Sequence, residues 1–160
     1  MTEVAWAGGA GRGSVRPMSS VLLATDADWI YDEVEAAIAG DGISVYRVRA
    51  GVDVLPAINE VKPDLVILDL QIGNMGGMAS CMAIRQEEGM GRIPITAVMM
   101  LLDRAADTFL AHRADADGWL IKPLDSFRLR RAAITLLDGE SFFEGVNPAT
   151  DLAEGEVIEA

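Results

Sequence analysis

The sequence predicts a single α/β domain with a doubly wound, five-stranded parallel sheet. Short apolar segments alternate along the chain with segments whose apolar residues recur at helical spacing. Several of the apolar segments are continuous, which is typical of parallel strands covered by helices on both faces. With 160 residues, 51% of them hydrophobic, the chain is long and apolar enough for one core.

Five strand–helix units follow one another between residues 19 and 137. Strands are predicted at 21–24, 44–48, 65–68, within 93–102, and at 119–121. Helices are predicted at 29–38, 52–61, 78–88, about 103–113, and 126–137 with Ser126 as its N-cap. Right-handed crossovers between parallel strands then fix the topology.

The net charge of −12 is unevenly distributed. Residues 138–160 hold seven acids and no base, whereas residues 1–18 are rich in glycine and alanine. We therefore expect a flexible leader over 1–18 and a largely disordered acidic tail over 138–160, with Phe142 and Phe143 as a potential anchor. The acidity argues against nucleic-acid binding and against an anionic lipid surface, and it suits a metal cation or a protein partner.

Cys81 is the single cysteine, which excludes an intramolecular disulfide. No apolar run reaches the roughly 18 residues of a spanning helix, and the first residues do not form a secretory signal. We expect a cytoplasmic protein, without membrane insertion, that reaches a membrane only through a protein partner. The segment after the last helix is too short for a DNA-binding module, so we expect the output to be protein contact.

Charged residues follow three of the predicted strands. Asp26 comes after the first strand, Asp69 after the third and Lys122 after the fifth. Functional groups of such sheets lie at the carboxyl ends of the strands, so these side chains are expected to converge. Two carboxylates suit Mg²⁺, and a carboxylate, a divalent cation and a lysine together suit a phosphoryl group.

Two segments resemble the motifs of response-regulator receiver domains, over about residues 19–137. Pro63-Asp64-Leu65-Val66-Ile67-Leu68-Asp69-Leu70 resembles the strand with the phospho-accepting aspartate, and Gly77 matches the glycine of the next loop. Ala114-Asp115-Ala116-Asp117-Gly118-Trp119-Leu120-Ile121-Lys122-Pro123-Leu124 resembles the strand that carries the family's lysine and a proline usually preceded by a cis bond.

The resemblance implies a flavodoxin-like (βα)5 fold, like that of CheY, and no enzymatic turnover of its own. It implies that Asp69 accepts a phosphoryl group from a sensor histidine kinase, with Lys122 beside it. It also implies that Asp26, Asp69 and the backbone carbonyl of Gln71 hold Mg²⁺.

Several residues depart from the family pattern. Thr25 stands where receivers usually carry a second acid, so Mg²⁺ binding is expected to be weak or lost. Met99 falls where a hydroxyl usually contacts the phosphoryl group, and a thioether cannot donate a hydrogen bond. Gly73 replaces a usual proline. Trp119 occupies the family's aromatic switch position, and we expect it to be fixed and half packed against the fourth helix.

Two functions remain open. The first is a stand-alone receiver that acts by protein contact through the fourth helix, fifth strand and fifth helix, a face that could also form a homodimer. The second is a phosphorylation-independent docking or accessory subunit of a larger complex, for example a respiratory NADH dehydrogenase. Arg128, Arg130 and Arg131 either form a docking face for an acidic partner or a solvated face with local salt bridges.

A third reading, a phosphatase of the haloacid dehalogenase type, rests on Asp26-Ala27-Asp28 after a strand. Ile30 at the place of a usual Thr or Val, and the lack of length for a cap domain, count against it.

Overall fold

The computed structural model describes residues 18–145. The predictions for the leader over 1–17 and for the tail over 146–160 lie outside the described residues. None of the helices within 18–145 is long and apolar enough to cross a membrane.

Strands and helices alternate in the predicted order. The strands are β1 (Ser19–Ala24), β2 (Ile43–Val48), β3 (Leu65–Asp69), β4 (Ala97–Leu102), β5 (Gly118–Ile121) and β6 (Phe142–Phe143). The helices are α1 (Asp28–Ile38), α2 (Val54–Val61), α3 (Gly77–Gly89), α4 (Thr108–Arg113) and α5 (Ser126–Leu137). One 3₁₀ turn, Gly51–Asp53, precedes α2 and another, Ala105–Asp107, precedes α4.

The strands form one parallel sheet in the order β2-β1-β3-β4-β5-β6. This confirms the doubly wound parallel fold, because the chain moves outward from β1 to β2 and then crosses back to β3. The carboxyl ends of β1 and β3 are neighbours, as are those of β4 and β5, so the residues that follow these strands lie at one edge of the sheet.

Each face of the sheet carries its own hydrophobic core. On one face, buried residues of α1 and α5 pack on Val21, Leu23, Ile67 and Leu101. On the other face, buried residues of α2, α3 and α4 pack on Leu22, Leu68 and Met100. Two buried faces explain why residues 65–68 of β3 are all apolar, since each of them belongs to one of the two cores.

The structure adds a strand at residues 142–143, inside the segment predicted as a disordered tail from residue 138. Phe142 pairs with Gly118 and Phe143 with Trp119, so these residues extend the sheet beyond β5. The two phenylalanines pack against the cores, as expected of the potential anchor, although a strand was not predicted here.

The cap of α5 also differs from the prediction. The N-cap is Asp125, whose carboxylate accepts a hydrogen bond from the backbone N–H of Arg128 at 2.9 Å. Ser126 is the first residue of the helix. Both residues are good N-caps, and the carboxylate also suits the positive end of the helix dipole.

Four sulfur-containing or imidazole side chains lie outside the site. Cys81 is buried in α3, and its burial raises the pKa of the thiol to about 12, which leaves it unreactive. Met99 and Met100 are core residues, and His112 is exposed on α4.

Candidate functional site

The site lies at the carboxyl edge of the sheet, where residues from four neighbouring strands meet. Asp69 is the last residue of β3, and Thr25, Asp103 and Lys122 directly follow β1, β4 and β5. Asp69 is only 1% exposed although it carries a carboxylate. A buried charge is tolerated only where hydrogen bonds and an opposite charge compensate for lost water, so its partners decide what it can do.

Three donors surround the Asp69 carboxylate. The Thr25 hydroxyl donates to Oδ2 at 2.8 Å. The Lys122 ammonium lies 2.8 Å from Oδ1, and the backbone N–H of Gln71 donates to the same oxygen at 3.1 Å. The predicted contact between Asp69 and Lys122 is therefore present, and both carboxylate oxygens accept hydrogen bonds.

Lys122 bridges two carboxylates. Its ammonium also lies 3.0 Å from Oδ1 of Asp103, whose Oδ2 accepts a hydrogen bond from the side-chain amide of Gln71 at 2.6 Å. Burial alone would lower the pKa of Lys122, but the hydrogen bonds to Asp69 and Asp103 outweigh it and raise this pKa. Lys122 is thus held in its charged form.

The same network acts on Asp103 in the opposite direction. Burial would raise the pKa of its carboxyl, but the hydrogen bonds from Gln71 and Lys122 lower it below the ordinary 3.8. Asp103 therefore adds a second negative charge beside Lys122, on the side of the site opposite Thr25.

Asp26 holds the loop that follows β3. Its Oδ2 accepts a hydrogen bond from the backbone N–H of Gly73 at 3.2 Å, and its side chain is exposed. The same loop is paired with the turn before α2, since Gly51 N–H donates to Gly73 O and Val52 N–H to Asn74 O. The loop is thereby anchored on one side of the site.

Gly77 fixes the other end of this loop. A Cβ at this position would lie 2.6 Å from the backbone oxygen of Asp69, a distance at which the backbone would have to move. The glycine is therefore required for the close approach of α3 to the end of β3.

The predicted Mg²⁺ ligands Asp26 and Asp69 have different hydrogen-bond partners. Asp26 engages Gly73, whereas Asp69 is bound to Thr25, Lys122 and Gln71. Within residues 18–145, no group of three or more His, Cys, Asp or Glu residues could hold a metal ion. A cation at Asp69 would therefore have to share this carboxylate with the Thr25 hydroxyl and the Lys122 ammonium, which bond its two oxygens.

Met99 lies deeper in the sheet than its predicted switch position. It pairs with Ile67 in β3, two residues before Asp69, and it is fully buried in the core beneath α1 and α5. Leu101 is the residue paired with Asp69. The placement of Met99 is therefore a correction to the prediction, although its chemical consequence holds, because no residue of β4 (Ala97–Leu102) carries a hydroxyl.

Trp119 is fully buried, and not half packed as predicted. It is 2% exposed, its ring centroid lies 4.5 Å from that of Phe143, and its Nε1 donates to the backbone oxygen of Glu144 at 3.0 Å. The prediction missed the cover, which comes from residues after α5. Arg128 joins the same arrangement through its ion pair with the Glu144 carboxylate.

Asp103 and Glu144 are the two functional candidates that the sequence interpretation missed. Asp103 had a signal, because an acid directly follows a continuous apolar strand, as Asp69 does. Glu144 had none, since its partners in the chain are sixteen and more residues away.

The fold and this site place the chain in a known family. Residues 21–134, over half of the sequence, match the response regulator receiver domain, and the chain belongs to this family. Receiver domains are components of two-component signalling that interact with histidine kinases and generally bind Mg²⁺ at the acidic site. They are generally signalling proteins without enzymatic activity.

Two curated relatives of the chain are regulatory proteins. The DNA-binding response regulator MtrA of Mycolicibacterium paratuberculosis is 28% identical over 103 residues, 64% of this chain and 44% of MtrA. The transcriptional regulatory protein CseB of Streptomyces avermitilis is 31% identical over 135 residues, 82% of this chain and 55% of CseB. The chain spans about half the length of these relatives, and DNA binding is a property named for MtrA.

Solved structures share the fold. Chemotaxis response regulator CheY4 of Vibrio cholerae matches with a TM-score of 0.65 at 22% identity, over 75% of this chain and 98% of that one. The signal receiver domain of NarL from Mycobacterium tuberculosis matches with a TM-score of 0.67 at 22% identity, over 78% of this chain and 100% of that one.

Replacing Thr25 with valine should destabilise the protein by about 1–3 kcal/mol, because it leaves a buried carboxylate oxygen of Asp69 without its donor. Urea unfolding measures the effect. Thr135→Val is the control, since this hydroxyl bonds a helix carbonyl in α5 near solvent and its loss should cost less than about 0.5 kcal/mol. Equal losses in the two variants would contradict a structural role for the Thr25–Asp69 hydrogen bond.

Lowering the pH should reduce the contribution of the Asp103 carboxylate to the free energy of unfolding. Because the folded-state pKa of Asp103 lies below its ordinary value of 3.8, its stabilisation is complete above that value and is lost as the pH falls through the folded pKa. Urea unfolding from about pH 6 to about pH 2.5 should therefore show a shallower pH dependence in Asp103→Asn than in the wild type. Asp32→Asn, an exposed acid of α1, controls for the loss of one charge, and a matching slope in both variants would refute the assignment.

Proposed function

We propose that this receiver domain takes a phosphoryl group onto Asp69 from a phosphohistidine of a partner kinase and transmits the change by protein contact. The observation that carries the proposal is the 2.8 Å ion pair between Lys122 and the buried Asp69 at the carboxyl edge of the sheet. This pair supplies a nucleophilic oxygen and a fixed positive charge at one point.

In the transfer, an oxygen of Asp69 attacks the phosphorus atom and the bond between phosphorus and the histidine nitrogen breaks. The electron pair of that bond stays with the imidazole, and Asp69 becomes an acyl phosphate. Lys122 offsets the negative charge on the phosphoryl oxygens, and the backbone N–H of Gln71 is a further donor at the same carboxylate.

The site also contains features that weaken this reaction. Asp103 places a second carboxylate on Lys122, so the ammonium is shared before a phosphoryl group arrives. Thr25 supplies a neutral hydroxyl where an acid would attract a cation. We therefore propose that Mg²⁺ binds weakly or not at all, and that phosphorylation of Asp69 is slow.

A small phosphodonor such as phosphoramidate, with Mg²⁺ present, should add one phosphoryl group to the full chain. Intact-mass spectrometry should detect the added group in the wild type and not in Asp69→Asn, which keeps the side-chain shape and removes the nucleophile. Asp103→Asn is the matched variant, and its yield should exceed that of the wild type because Lys122 is no longer shared. The absence of any modification in both the wild type and Asp103→Asn would overturn the proposal.

A second candidate is a docking subunit that does not depend on phosphorylation. Two observations favour it: both oxygens of the Asp69 carboxylate already accept hydrogen bonds, and Trp119 is buried against Phe143 and Glu144. A site with its own compensating charges can hold one conformation without a phosphoryl group. The particular complex, such as a respiratory NADH dehydrogenase, remains a prediction from the sequence.

The two candidates differ in what Asp69→Asn does to partner binding. A docking subunit should retain the same partner complex in affinity purification at wild-type yield when Asp69 is replaced. A phosphorylation-dependent switch should lose that complex or bind it without regulation by the kinase. The docking candidate is refuted if the wild type purified with its partner carries a phosphoryl group and if removal of that group releases the partner.

A further inference from the structure

We call residues 142–145 the strap. This segment lies along the outer edge of β5. Its backbone pairs with β5, because Glu144 N–H donates to Trp119 O at 3.3 Å and Phe142 N–H to Asp117 O at 3.4 Å. The strap thereby covers an edge strand whose unpaired backbone groups would otherwise face outward.

Side chains hold the strap more firmly than its two-residue strand can. The ring of Phe143 packs on Trp119, and the Trp119 indole N–H donates to Glu144 O. The Glu144 carboxylate accepts from the backbone N–H of Ile121 at 2.8 Å and from Nε of Arg128 at 2.6 Å. A strand of two residues is marginal alone, so these contacts decide whether the strap stays in place.

The receiving surface belongs to the body of the domain and is shaped for a particular ligand. Trp119 offers an apolar ring, Ile121 an N–H that faces the strap, and Arg128 a guanidinium held by the carbonyls of Ile121 and Pro123 and by Asp125. A ligand that fits must therefore be extended, and it must carry an aromatic residue followed directly by an acid.

We propose that the β5 edge with Trp119, Ile121 and Arg128 is a binding site for an extended aromatic–acidic segment of a partner protein. The chain's own strap fills that site and competes with the partner. Binding of the partner then adds a strand to the sheet in place of β6, with the backbone supplying affinity and the Arg128–carboxylate pair supplying selectivity.

The tether of the strap sets how strongly it competes with a partner segment. A tethered segment acts at an effective concentration of roughly millimolar, so a partner segment of equal intrinsic affinity binds the intact chain weakly. Releasing the strap should remove this competition without altering the receiving surface. The proposal rests on the output by protein contact proposed above, but it does not require phosphorylation of Asp69.

The probe is a labelled peptide with the sequence of residues 138–147, added to the full-length protein without any phosphodonor. Fluorescence anisotropy should show at least about tenfold tighter binding to Phe143→Ala/Glu144→Ala than to the wild type. Glu140→Ala, which removes an exposed acid outside the strap, should match the wild type. A peptide with alanine at the positions of Phe143 and Glu144 should not bind either protein.

Hydrogen exchange at the Ile121 amide reports the strap independently. The double variant should lose protection at this amide, and the peptide should restore it. If the double variant is folded by circular dichroism and still protects Ile121, or exposes Ile121 and gains no peptide affinity, the proposal is overturned.

Glu144→Gln carries the same test should the double variant fail to fold, since it keeps the shape and removes the charge opposite Arg128. It should bind the peptide more tightly than the wild type, and unchanged affinity would overturn the proposal. Because the peptide experiments involve no phosphoryl transfer, a negative result leaves the proposed phosphorylation of Asp69 intact. Likewise, a failure to phosphorylate Asp69 leaves the proposed binding site at the β5 edge intact.

Discussion

The ion pair between Asp69 and Lys122 compensates the buried charge at the end of β3, and the surrounding residues are arranged to support it. A carboxylate that is 1% exposed requires an opposite charge and donors for its remaining lone pairs. Lys122 supplies the charge from β5, Thr25 a hydroxyl from β1, and Gln71 a backbone N–H. One side chain thus ties three strand ends together and fixes the geometry of the carboxyl edge.

This arrangement changes the balance of charge that the family resemblance implies. An acid is absent at Thr25, and another stands at Asp103, where it shares Lys122. The negative charge has in effect moved from the β1 side of the site to the β4 side. The proposed weakness of Mg²⁺ binding follows from this balance of charge, and two carboxylates hold the lysine.

Much of the architecture was predictable because apolar periodicity reports which faces of an element are buried. The continuous run at 65–68 identified β3, and the rule that parallel strands end at one edge brought Asp69 and Lys122 together. The depth of Met99 was not predictable, because the register of β4 depends on the connection after α3. The burial of Trp119 depended on Phe143, and the pairing of distant segments leaves no local pattern. Asp125 and Ser126 are adjacent N-cap residues, which the sequence alone did not distinguish.

The two sides of the site are built from different kinds of contact. On one side, Asp26 and the turn at Gly51 hold the loop, and Gly77 leaves no space between α3 and the backbone of Asp69. On the other side, β5 is closed by a short strap whose contacts are largely side chains. Asp69 therefore has no room to shift toward α3, where Gly77 already lies against its backbone, and it meets β5 through the side chain of Lys122. A change at the carboxylate would reach the strand that carries Trp119 by way of this ammonium group.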